Sequence, residues 1–225
     1  SAFNDVDSIS KCIQLGAQDY LPKPINGTIL IAKLVAALER KLWREREKEL
    51  VNKLHIQATT DQLTGIYNRR VIFEALDDAM ENSKKSSDRE FTTIMFDIDF
   101  FKQVNDNYGH AGGDAVLISF AQLLQTEISS PNIVGRVGGE EFLAILYLSP
   151  DEAKEFCVKL IHKINHNFVD FEGTEIKISS SGGVAFSTET ETSADLISKA
   201  DERLYVAKKN GRNRFTLHDS ELLGE

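Results

Sequence analysis

The sequence contains few of the residues that build special sites, because its 225 residues include only two cysteines, four prolines and one tryptophan. Cys12 and Cys157 lie far apart among aliphatic neighbours, which favours buried free thiols over a disulfide or a metal-binding pair. No apolar run approaches the roughly 18 residues that a membrane span requires. Residues 1–10 also lack the basic and apolar regions of a signal peptide. We therefore expect a cytoplasmic protein without a membrane segment.

The chain also lacks a surplus of basic residues, since its formal net charge is -9. Nucleic-acid backbones are normally bound through an excess of lysine and arginine, so a nucleic-acid partner is disfavoured. A polyanionic small ligand remains compatible with this charge if a metal ion or a few well-placed basic groups counter the overall field locally. The hydrophobic content of 41% suffices for the core of one domain plus a smaller piece.

Three segments of the chain differ in their pattern. Residues 1–25 predict a short helical stretch that contains Ile9, Ile13 and Leu15. It is followed by Pro22 and Pro24, which exclude a helix at their own positions and mark a strand end or turn. Residues 28–58 contain neither glycine nor proline, and their second half is densely charged. Apolar residues recur in this segment every three or four positions, which predicts a long helix: Ile31, Leu34, Leu38 and Leu42. Because such a helix cannot be buried along its whole length, both a dimeric coiled coil and a plain linker helix fit the pattern.

Residues 59–225 mix strand and helix patterns. Strands are predicted over residues 91–97, 133–137, 142–148 and 176–186, and helices over 114–129, 150–168 and 194–209. The pair Gly138-Gly139 is typical of a tight hairpin turn between two of these strands. This mixture predicts an α+β domain in layers.

Two acidic clusters are predicted to lie at strand ends. Asp97 and Asp99 close the first strand, and Glu140 and Glu141 follow the hairpin glycines. Asp97 and Asp99 share one side of the strand, whereas Glu140 and Glu141 point to opposite sides, so one residue of each cluster can converge on a point. Carboxylates that close repel unless a cation lies between them, and oxygen ligands beside phosphate suit Mg2+. Acidic residues at strand ends are also common on ordinary surfaces, so the pattern alone is weak evidence.

The residues after the first acidic cluster fit a phosphate site. Phe100, Phe101 and Lys102 lie where a strand ends and a short helix starts, which exposes backbone N–H groups to phosphate oxygens. Lys208 and Arg212 near the C-terminus have two interpretations: they interact with the dipole of a helix end, or they clamp a triphosphate.

Asn105 and Asp114 also admit a structural and a functional interpretation. Asp114 follows Gly112-Gly113 and is expected to open a helix as its N-cap, with Asn105 as a turn former. Alternatively, the carboxylate of Asp114 accepts hydrogen bonds from the N1–H and N2–H2 edge of guanine, and the amide of Asn105 makes a further hydrogen bond to the base.

Residues 136–142, RVGGEEF, are similar to the GGDEF/GGEEF signature of diguanylate cyclases. Further segments match the pattern of this family in the family's order: residues 61–70, 96–102, 105–114, 181–185 and 200–213. The resemblance implies a fold like that of class III nucleotide cyclases and the polymerase palm, with a central, mainly antiparallel sheet wrapped by helices. It also implies an enzyme that joins two GTP molecules into cyclic di-GMP and releases pyrophosphate.

The resemblance assigns roles by position. It implies two Mg2+ ions per active site, with Mn2+ able to substitute, and two domains that face each other in a homodimer. The metal would be bound by Asp97, the carbonyl of Ile98, Glu140 and Glu141. The catalytic residues would be Asp97, Lys102, Glu140 and Glu141. The phosphates would be contacted by Phe100, Phe101, Lys102, Lys208 and Arg212. Guanine would be contacted by Asn105 and Asp114, and His110 would also belong to the substrate-binding residues.

Residues 1–27 resemble the last part of a response-regulator receiver domain, in Ser1-Ala2, residues 15–21 and Lys23-Pro24. This implies that Ser1 is the switch hydroxyl, that Lys23 contacts the phosphoryl group and that the Lys23–Pro24 bond is cis. The earlier receiver strands with the phosphoacceptor aspartate are missing, so this piece is not expected to be phosphorylated, although a full-length receiver implies an upstream histidine kinase. The predicted organisation is a receiver fragment (1–27), a coiled-coil linker helix (28–58) that dimerises together with the receiver, and a cyclase domain (59–225).

One departure from the family pattern concerns regulation. Many members carry Arg-x-x-Asp shortly before the signature, where the product binds and inhibits, but this chain has residues 129–132, SSPN. We therefore predict no inhibitory product site there. Two other functions remain open: a non-catalytic sensor of GTP or cyclic di-GMP, and a dimerisation module with an idle cyclase domain. The intact acidic and basic site residues favour the active enzyme.

Overall fold

The computed structural model describes residues 10, 11, 14–17, 19–21, 23–85, 90–218 and 221–224. The chain divides into two compact units, Ser1–His55 and Ile56–Glu225. The predictions for Ser1 and Cys12 fall outside the described residues. None of the helices in the described ranges combines the length and the apolar composition that a bilayer crossing requires.

The first unit is dominated by helix α1, Gly27–Thr59, which continues into the second unit. The helix begins after Asn26, whose side chain accepts hydrogen bonds from the backbone N–H groups of Thr28 and Ile29 at 2.9 and 3.3 Å. No residue of α1 is buried, and most of its large apolar side chains, including Leu34 and Leu38, are exposed. Before the helix, the Lys23–Pro24 peptide bond is cis and Lys23 is exposed.

The second unit is built on a six-stranded sheet in the order β2-β3-β1-β6-β7-β8. Its elements are α2 (Arg69–Ser83), β1 (Thr92–Ile98), α3 (Phe101–Glu127), β2 (Ile133–Gly138), β3 (Glu141–Leu146), α4 (Pro150–Asn165), β4 (Phe168–Phe171), β5 (Thr174–Lys177), β6 (Ser180–Phe186), α5 (Ser193–Lys209), β7 (Arg214–His218) and β8 (Glu221–Gly224). The β6–β7 pair is parallel, the other pairs of this sheet are antiparallel, and β4 and β5 form a separate hairpin. The predicted α+β fold with a mainly antiparallel central sheet is therefore confirmed.

Strand β1 lies in the middle of the sheet and is buried along its whole length. Along it, Phe96 belongs to a core cluster with α3 and α4, whereas Met95 belongs to a second cluster with α2 and α5. Helices thus cover both faces of the sheet, which explains why β1 is buried on both sides and carries Ile94, Met95 and Phe96 in succession instead of alternating with polar residues. Cys157 of α4 lies in the first cluster, and burial raises the pKa of its thiol, as expected for an inert core cysteine.

Several predicted boundaries were wrong. The helix predicted over 150–168 ends at Asn165, because Phe168 belongs to β4. The strand predicted over 176–186 is two strands in different sheets, with Ile176 in β5. Asp114 is not an N-cap: α3 starts at Phe101, and its only kink lies at Gly109, with φ 69° and ψ 176°, so that Asp114 lies more than one turn inside the second half.

Candidate functional site

Two acidic segments lie side by side at the C-terminal end of β1. The register places Asp97 opposite Glu141, and the N–H of Ile98 donates to the carbonyl of Glu140 at 3.3 Å. Asp97 is only 6% exposed, whereas Glu140 is half-buried and Glu141 is exposed. Burial, with the charges of Glu140 and Glu141, raises the pKa of Asp97 despite an opposing effect of Lys208. The site therefore concentrates negative charge that a cation would relieve.

Lys208 supplies one such cation in the structure. Its Nζ lies 2.7 Å from Oδ2 of Asp97, and the two side chains are 31% and 8% exposed. The predicted phosphate contact and the predicted metal ligand are therefore paired with each other. The sequence interpretations of Lys208, a helix-dipole partner or a phosphate clamp, did not include this ion pair.

The close approach of α5 to the sheet brings Lys208 to Asp97. A Cβ on Gly183 of β6 would lie 1.9 Å from the carbonyl oxygen of Ala200 and 2.4 Å from the N of Leu204. Only glycine therefore fits at this position, which explains the glycine in the segment 181–185. Because Lys208 lies two turns after Asp201, both residues project from the same face of α5.

Asp201 lies beside this site, although no sequence pattern assigns it a role. Although Asp201 is exposed, partial desolvation by its neighbours raises its pKa, and the charge of Glu141 adds to the increase, while Lys208 opposes it. The spacing of seven residues between Asp201 and Lys208 was the available signal, since it predicts a shared helix face.

Phe100 and Arg212 meet beside the N-terminus of α3. Phe100 adopts a left-handed conformation with φ 56° and immediately precedes α3. The guanidinium carbon of Arg212 lies 4.7 Å from the centroid of the Phe100 ring, in a cation–π contact. The first N–H groups of a helix have no acceptor within the helix, so an anion here meets backbone donors and the Arg212 cation together. Lys102, in the first turn, is exposed.

The candidate guanine contacts lie on the two halves of α3. A Cβ on Gly113 would lie 2.1 Å from Oδ1 of Asn105, so the amide of Asn105 packs directly over the residue next to Asp114. Asp114 and His110 are both exposed. The kink at Gly109 thus brings Asn105 against Gly113, the residue before Asp114, in the second half of α3.

The turn that carries Glu140 and Glu141 is held by Arg136. Its Nε and Nη2 donate to the carbonyl of Gly139 at 3.0 and 2.7 Å, and its Nη1 lies 3.1 Å from Oδ1 of Asp61. Burial would raise the pKa of Asp61, but its hydrogen bonds with Thr64 and Arg136 outweigh burial and lower it. The segment 61–64, for which the sequence suggested no role, therefore anchors the signature turn.

The loop at residues 129–132 is held by hydrogen bonds within the loop and to the neighbouring Tyr147. The N–H of Asn132 donates to the carbonyl of Ser129 at 3.0 Å, and Oδ1 of Asn132 accepts from the N–H of Tyr147 at 2.8 Å. The loop thus uses its own polar side chain to hold its backbone, and none of residues 129–132 carries a charge.

Within the described ranges, no group of three or more acidic, histidine or cysteine side chains converges in a way that could hold a metal ion. The chemistry nevertheless fits Mg2+, which usually takes one or two carboxylates and leaves its other positions to water and substrate. Asp97 and Glu140, with the carbonyl of Ile98, would hold the ion, and Glu141 lies beside them.

A family model described as "Diguanylate cyclase, GGDEF domain" matches residues 58–214. The chain is similar to response regulator PleD of Caulobacter vibrioides, with 33% identity over 217 residues that cover 93% of this chain and 47% of PleD. It is also similar to diguanylate cyclase A of Treponema denticola, with 33% identity over 168 residues that cover 73% of this chain and 45% of that protein. The chain thus spans about half the length of these relatives.

Solved structures show the same architecture. The coiled coil and GGDEF domain of DgcB from Caulobacter crescentus, in complex with c-di-GMP, matches with a TM-score of 0.72 at 27% identity, over 83% of this chain and 98% of that chain. Diguanylate cyclase SiaD from Pseudomonas aeruginosa, in complex with its activator SiaC, matches with a TM-score of 0.70 at 27% identity, over 94% of this chain and 80% of that chain. The chain belongs to the family of diguanylate cyclase GGDEF domains.

Proposed function

We propose that this protein synthesises cyclic di-GMP from two molecules of GTP. In each of two steps, the 3′-oxygen of one GTP attacks the α-phosphorus of the other, the hydroxyl loses its proton, and the bond to pyrophosphate breaks. The observation that carries the proposal is the buried Asp97 beside Glu140 and Glu141, with Lys208 paired to Asp97 and Arg212 next to the N-terminus of α3. This arrangement joins a cation site to a phosphate site.

Each part of the site has a role in this reaction. Bound Mg2+, two ions per domain, would lower the pKa of the 3′-hydroxyl and neutralise charge on the phosphoryl oxygens. Asp97, Glu140 and the carbonyl of Ile98 would hold the metal, and Glu141 would either add a ligand or accept the proton of the 3′-hydroxyl. The ion pair between Lys208 and Asp97 must open before Asp97 can accept a cation. Lys208 can then turn to the phosphates, because their negative charge replaces that of Asp97.

The substrate would lie along α3. The backbone N–H groups of Phe100, Phe101 and Lys102 donate to phosphate oxygens, and the side chains of Lys102 and Arg212 add positive charge. Asn105 and Asp114 read the guanine edge, and the carboxylate of Asp114 favours guanine over adenine because adenine presents no donor pair at N1 and N2. We assign His110, which is exposed on α3, to the same substrate site.

Two copies of the chain are needed, because each domain holds one GTP and the product has twofold symmetry. We propose that α1 brings them together as a parallel coiled coil. The exposed apolar side chains of α1, including Leu34, Leu38 and Leu42, support this role. The similarity to a DgcB structure that contains a coiled coil and a GGDEF domain supports it as well.

The residues before α1 are proposed to be the end of a receiver domain. The alignment with the response regulator PleD covers 93% of this chain, which supports this assignment, together with the cis Lys23–Pro24 bond and the exposed Lys23. We propose that Ser1 and Lys23 belong to the switch of that receiver, and that a histidine kinase acts on the full-length protein. A cytoplasmic location follows from the proposed use of GTP as substrate.

A turnover assay tests the proposed activity. Incubation with GTP and Mg2+, followed by chromatography of the nucleotides, should yield cyclic di-GMP and pyrophosphate. Glu140→Ala should reduce turnover by about a thousandfold, because it removes a metal ligand worth several kcal/mol in the transition state. The variant should fold, since the hydrogen bond from Ile98 reaches the backbone carbonyl of Glu140. Glu155→Ala on the exposed face of α4 is the matched control. Full activity of Glu140→Ala would contradict the metal assignment.

Product inhibition is proposed to be weak or absent at residues 129–132. This loop offers no guanidinium or carboxylate to bind the phosphates or bases of cyclic di-GMP. Turnover at fixed GTP should therefore change little when cyclic di-GMP is added at concentrations near that of the substrate. Strong noncompetitive inhibition that disappears in Asn132→Ala would disprove this proposal.

A further inference from the structure

Asp99 is a buried carboxylate that uses its oxygens within the protein. It is 4% exposed, and its Oδ1 accepts from the hydroxyl of Ser181 at 2.7 Å. Its Oδ2 accepts from the hydroxyl of Ser179 at 2.8 Å and from the backbone N–H of Asn213 at 3.0 Å. A buried carboxylate is tolerated only when it is hydrogen-bonded in this way. Asp99 therefore differs from Asp97, whose carboxylate faces Lys208 and the two glutamates of the signature.

The bond to Asn213 fixes a strained loop. Arg212 and Asn213 both adopt left-handed conformations, with φ 61° and 48°. Such conformations are unfavourable for residues with a Cβ and persist only where the surroundings hold them. The N–H of Arg212 donates to the carbonyl of Ala207 at 3.1 Å, and the N–H of Asn213 donates to Asp99. The carboxylate thus holds one of the two left-handed residues of this loop directly.

The same carboxylate is linked to both partners of the cation–π contact. Phe100 follows Asp99 in the chain, and Arg212 precedes Asn213. The guanidinium of Arg212 lies over the Phe100 ring at 4.7 Å, beside the first turn of α3. Asp99 therefore fixes the position of Arg212 relative to the backbone N–H groups of that turn.

We propose that Asp99 is a positioning residue that holds Arg212 ready for the triphosphate, and that it does not bind the metal. The inference rests on the proposed function, because it takes Arg212 as a phosphate contact. It predicts that Asp99 acts only through Arg212 and only on the phosphate end of the substrate.

The test is a double-mutant cycle on ligand binding. The probe is a GTP analogue with a methylene group between the α- and β-phosphates, which cannot release pyrophosphate, and GMP is the matched ligand. Arg212→Ala should weaken binding of the analogue about tenfold, as expected for the loss of a charge-assisted contact. Asp99→Ala should weaken it by a similar factor. The double variant should bind no more weakly than Arg212→Ala alone, because the two residues act on one contact. Binding of GMP should change by less than about twofold in all variants.

A conservative variant separates positioning from metal binding. In Asp99→Asn, the amide oxygen can still accept from Ser179 and Asn213, and the hydroxyl of Ser181 can rotate to accept from the amide NH2. This variant should therefore keep analogue binding within about threefold of the wild type. Asp97→Asn, in contrast, should abolish turnover. If Asp99→Ala does not fold, as judged by thermal melting, Asp99→Ser takes its place, because its shorter side chain is polar but cannot reach Asn213.

Three results would overturn the inference: additive losses in the double variant, equal weakening of GMP and the analogue by Asp99→Ala, or abolished turnover in Asp99→Asn. Failure of the proposed function gives a different result. In that case the wild type does not prefer the analogue over GMP, or Arg212→Ala binds both as the wild type does.

Discussion

Helices α1 and α5 have similar apolar spacing but different surroundings. Helix α5 buries five of its 17 residues, and its N-terminus is capped by Thr192, whose hydroxyl accepts from the N–H of Asp195 at 3.1 Å. Helix α1 has 33 residues and buries none. The difference lies in the packing surface: α5 packs on β6, where Gly183 allows close contact, whereas no element in the described part of the chain buries any residue of α1. The apolar periodicity therefore predicts a helix whose apolar face must pack against another surface. It does not predict whether that surface belongs to the same chain or to a second copy.

The charged residues of α5 and α1 also differ in how far they are buried. Arg203 of α5 is 3% exposed and donates to both oxygens of Glu189 at 2.7 Å. It also donates to the carbonyl of Val184 at 2.7 Å, which ties α5 to β6. In α1, Lys41 and Glu45 lie 3.8 Å apart with side chains 73% and 55% exposed. Buried pairs fix geometry, whereas exposed pairs contribute little to stability.

Arg203→Ala should have the largest effect on stability. Removing the cation leaves Glu189, which is 18% exposed, without its bidentate partner, and the expected loss is about 3–5 kcal/mol in the free energy of unfolding. Urea unfolding followed by far-UV circular dichroism measures it. Lys41→Ala is the control, with a change within about 0.5 kcal/mol. Equal losses of unfolding free energy in Arg203→Ala and Lys41→Ala would contradict the difference between the buried pair of α5 and the exposed pair of α1.

Replacing one leucine by alanine in each helix compares the apolar face of α5 with that of α1. Leu196 of α5 is 0% exposed, so Leu196→Ala should lower the free energy of unfolding by about 2–5 kcal/mol. Leu38 of α1 is 60% exposed, so Leu38→Ala should change the unfolding of the cyclase domain by less than about 0.5 kcal/mol.

Leu38→Ala should instead weaken self-association, if α1 pairs with a second copy. Burying one leucine is worth about 1.5–3 kcal/mol, so the dimer dissociation constant should rise by at least about tenfold. The only tryptophan, Trp43, lies in α1 and is 69% exposed, and its emission on dilution reports this equilibrium. Glu47→Ala, which lies on the opposite side of the helix, should leave the constant unchanged. Unaltered association in Leu38→Ala would mean that another surface joins the copies.

The parts of the fold that could be predicted from the sequence are those with strong local patterns. The apolar runs of β1 and β3 and the spacing in α4 and α5 indicated their elements to within a few residues. Strands β4 and β5 are four residues each, and one predicted strand ran across the break between β5 and β6. The sequence does not show which strands pair: β6 lies in register with β1, whereas β5 pairs, among the strands of the described ranges, with β4 alone.

The site could be predicted where a motif carries the chemistry locally, as at Glu140 and Glu141. It could not be predicted where distant residues meet. Asp99 and Asn213 are 114 positions apart, and the ion pair of Asp97 with Lys208 also joins β1 to the end of α5. No pattern in either segment names the other as its partner, because only the packing of α5 on the sheet brings them together.

Among the variants expected to destabilise the cyclase domain, Glu189→Gln should have the smallest effect, and this effect should depend on pH. Burial would raise the pKa of Glu189, but the hydrogen bonds and charge of Arg203 outweigh burial and lower it below its ordinary value of 4.5. A lowered pKa means that the unfolded state binds more protons, so the stabilisation is present above pH 4.5 and is lost as the pH falls through the folded-state pKa. At pH 7 the variant should be less stable by about 1–3 kcal/mol, less than Arg203→Ala because glutamine keeps one acceptor. The difference between wild type and variant should shrink in urea titrations below pH 4.5, where the wild type also becomes neutral. Glu45→Gln in α1, which replaces an exposed carboxylate, should give a difference within about 0.5 kcal/mol at every pH. A Glu189→Gln deficit that stays constant down to low pH would mean that the loss does not come from the charge of the carboxylate.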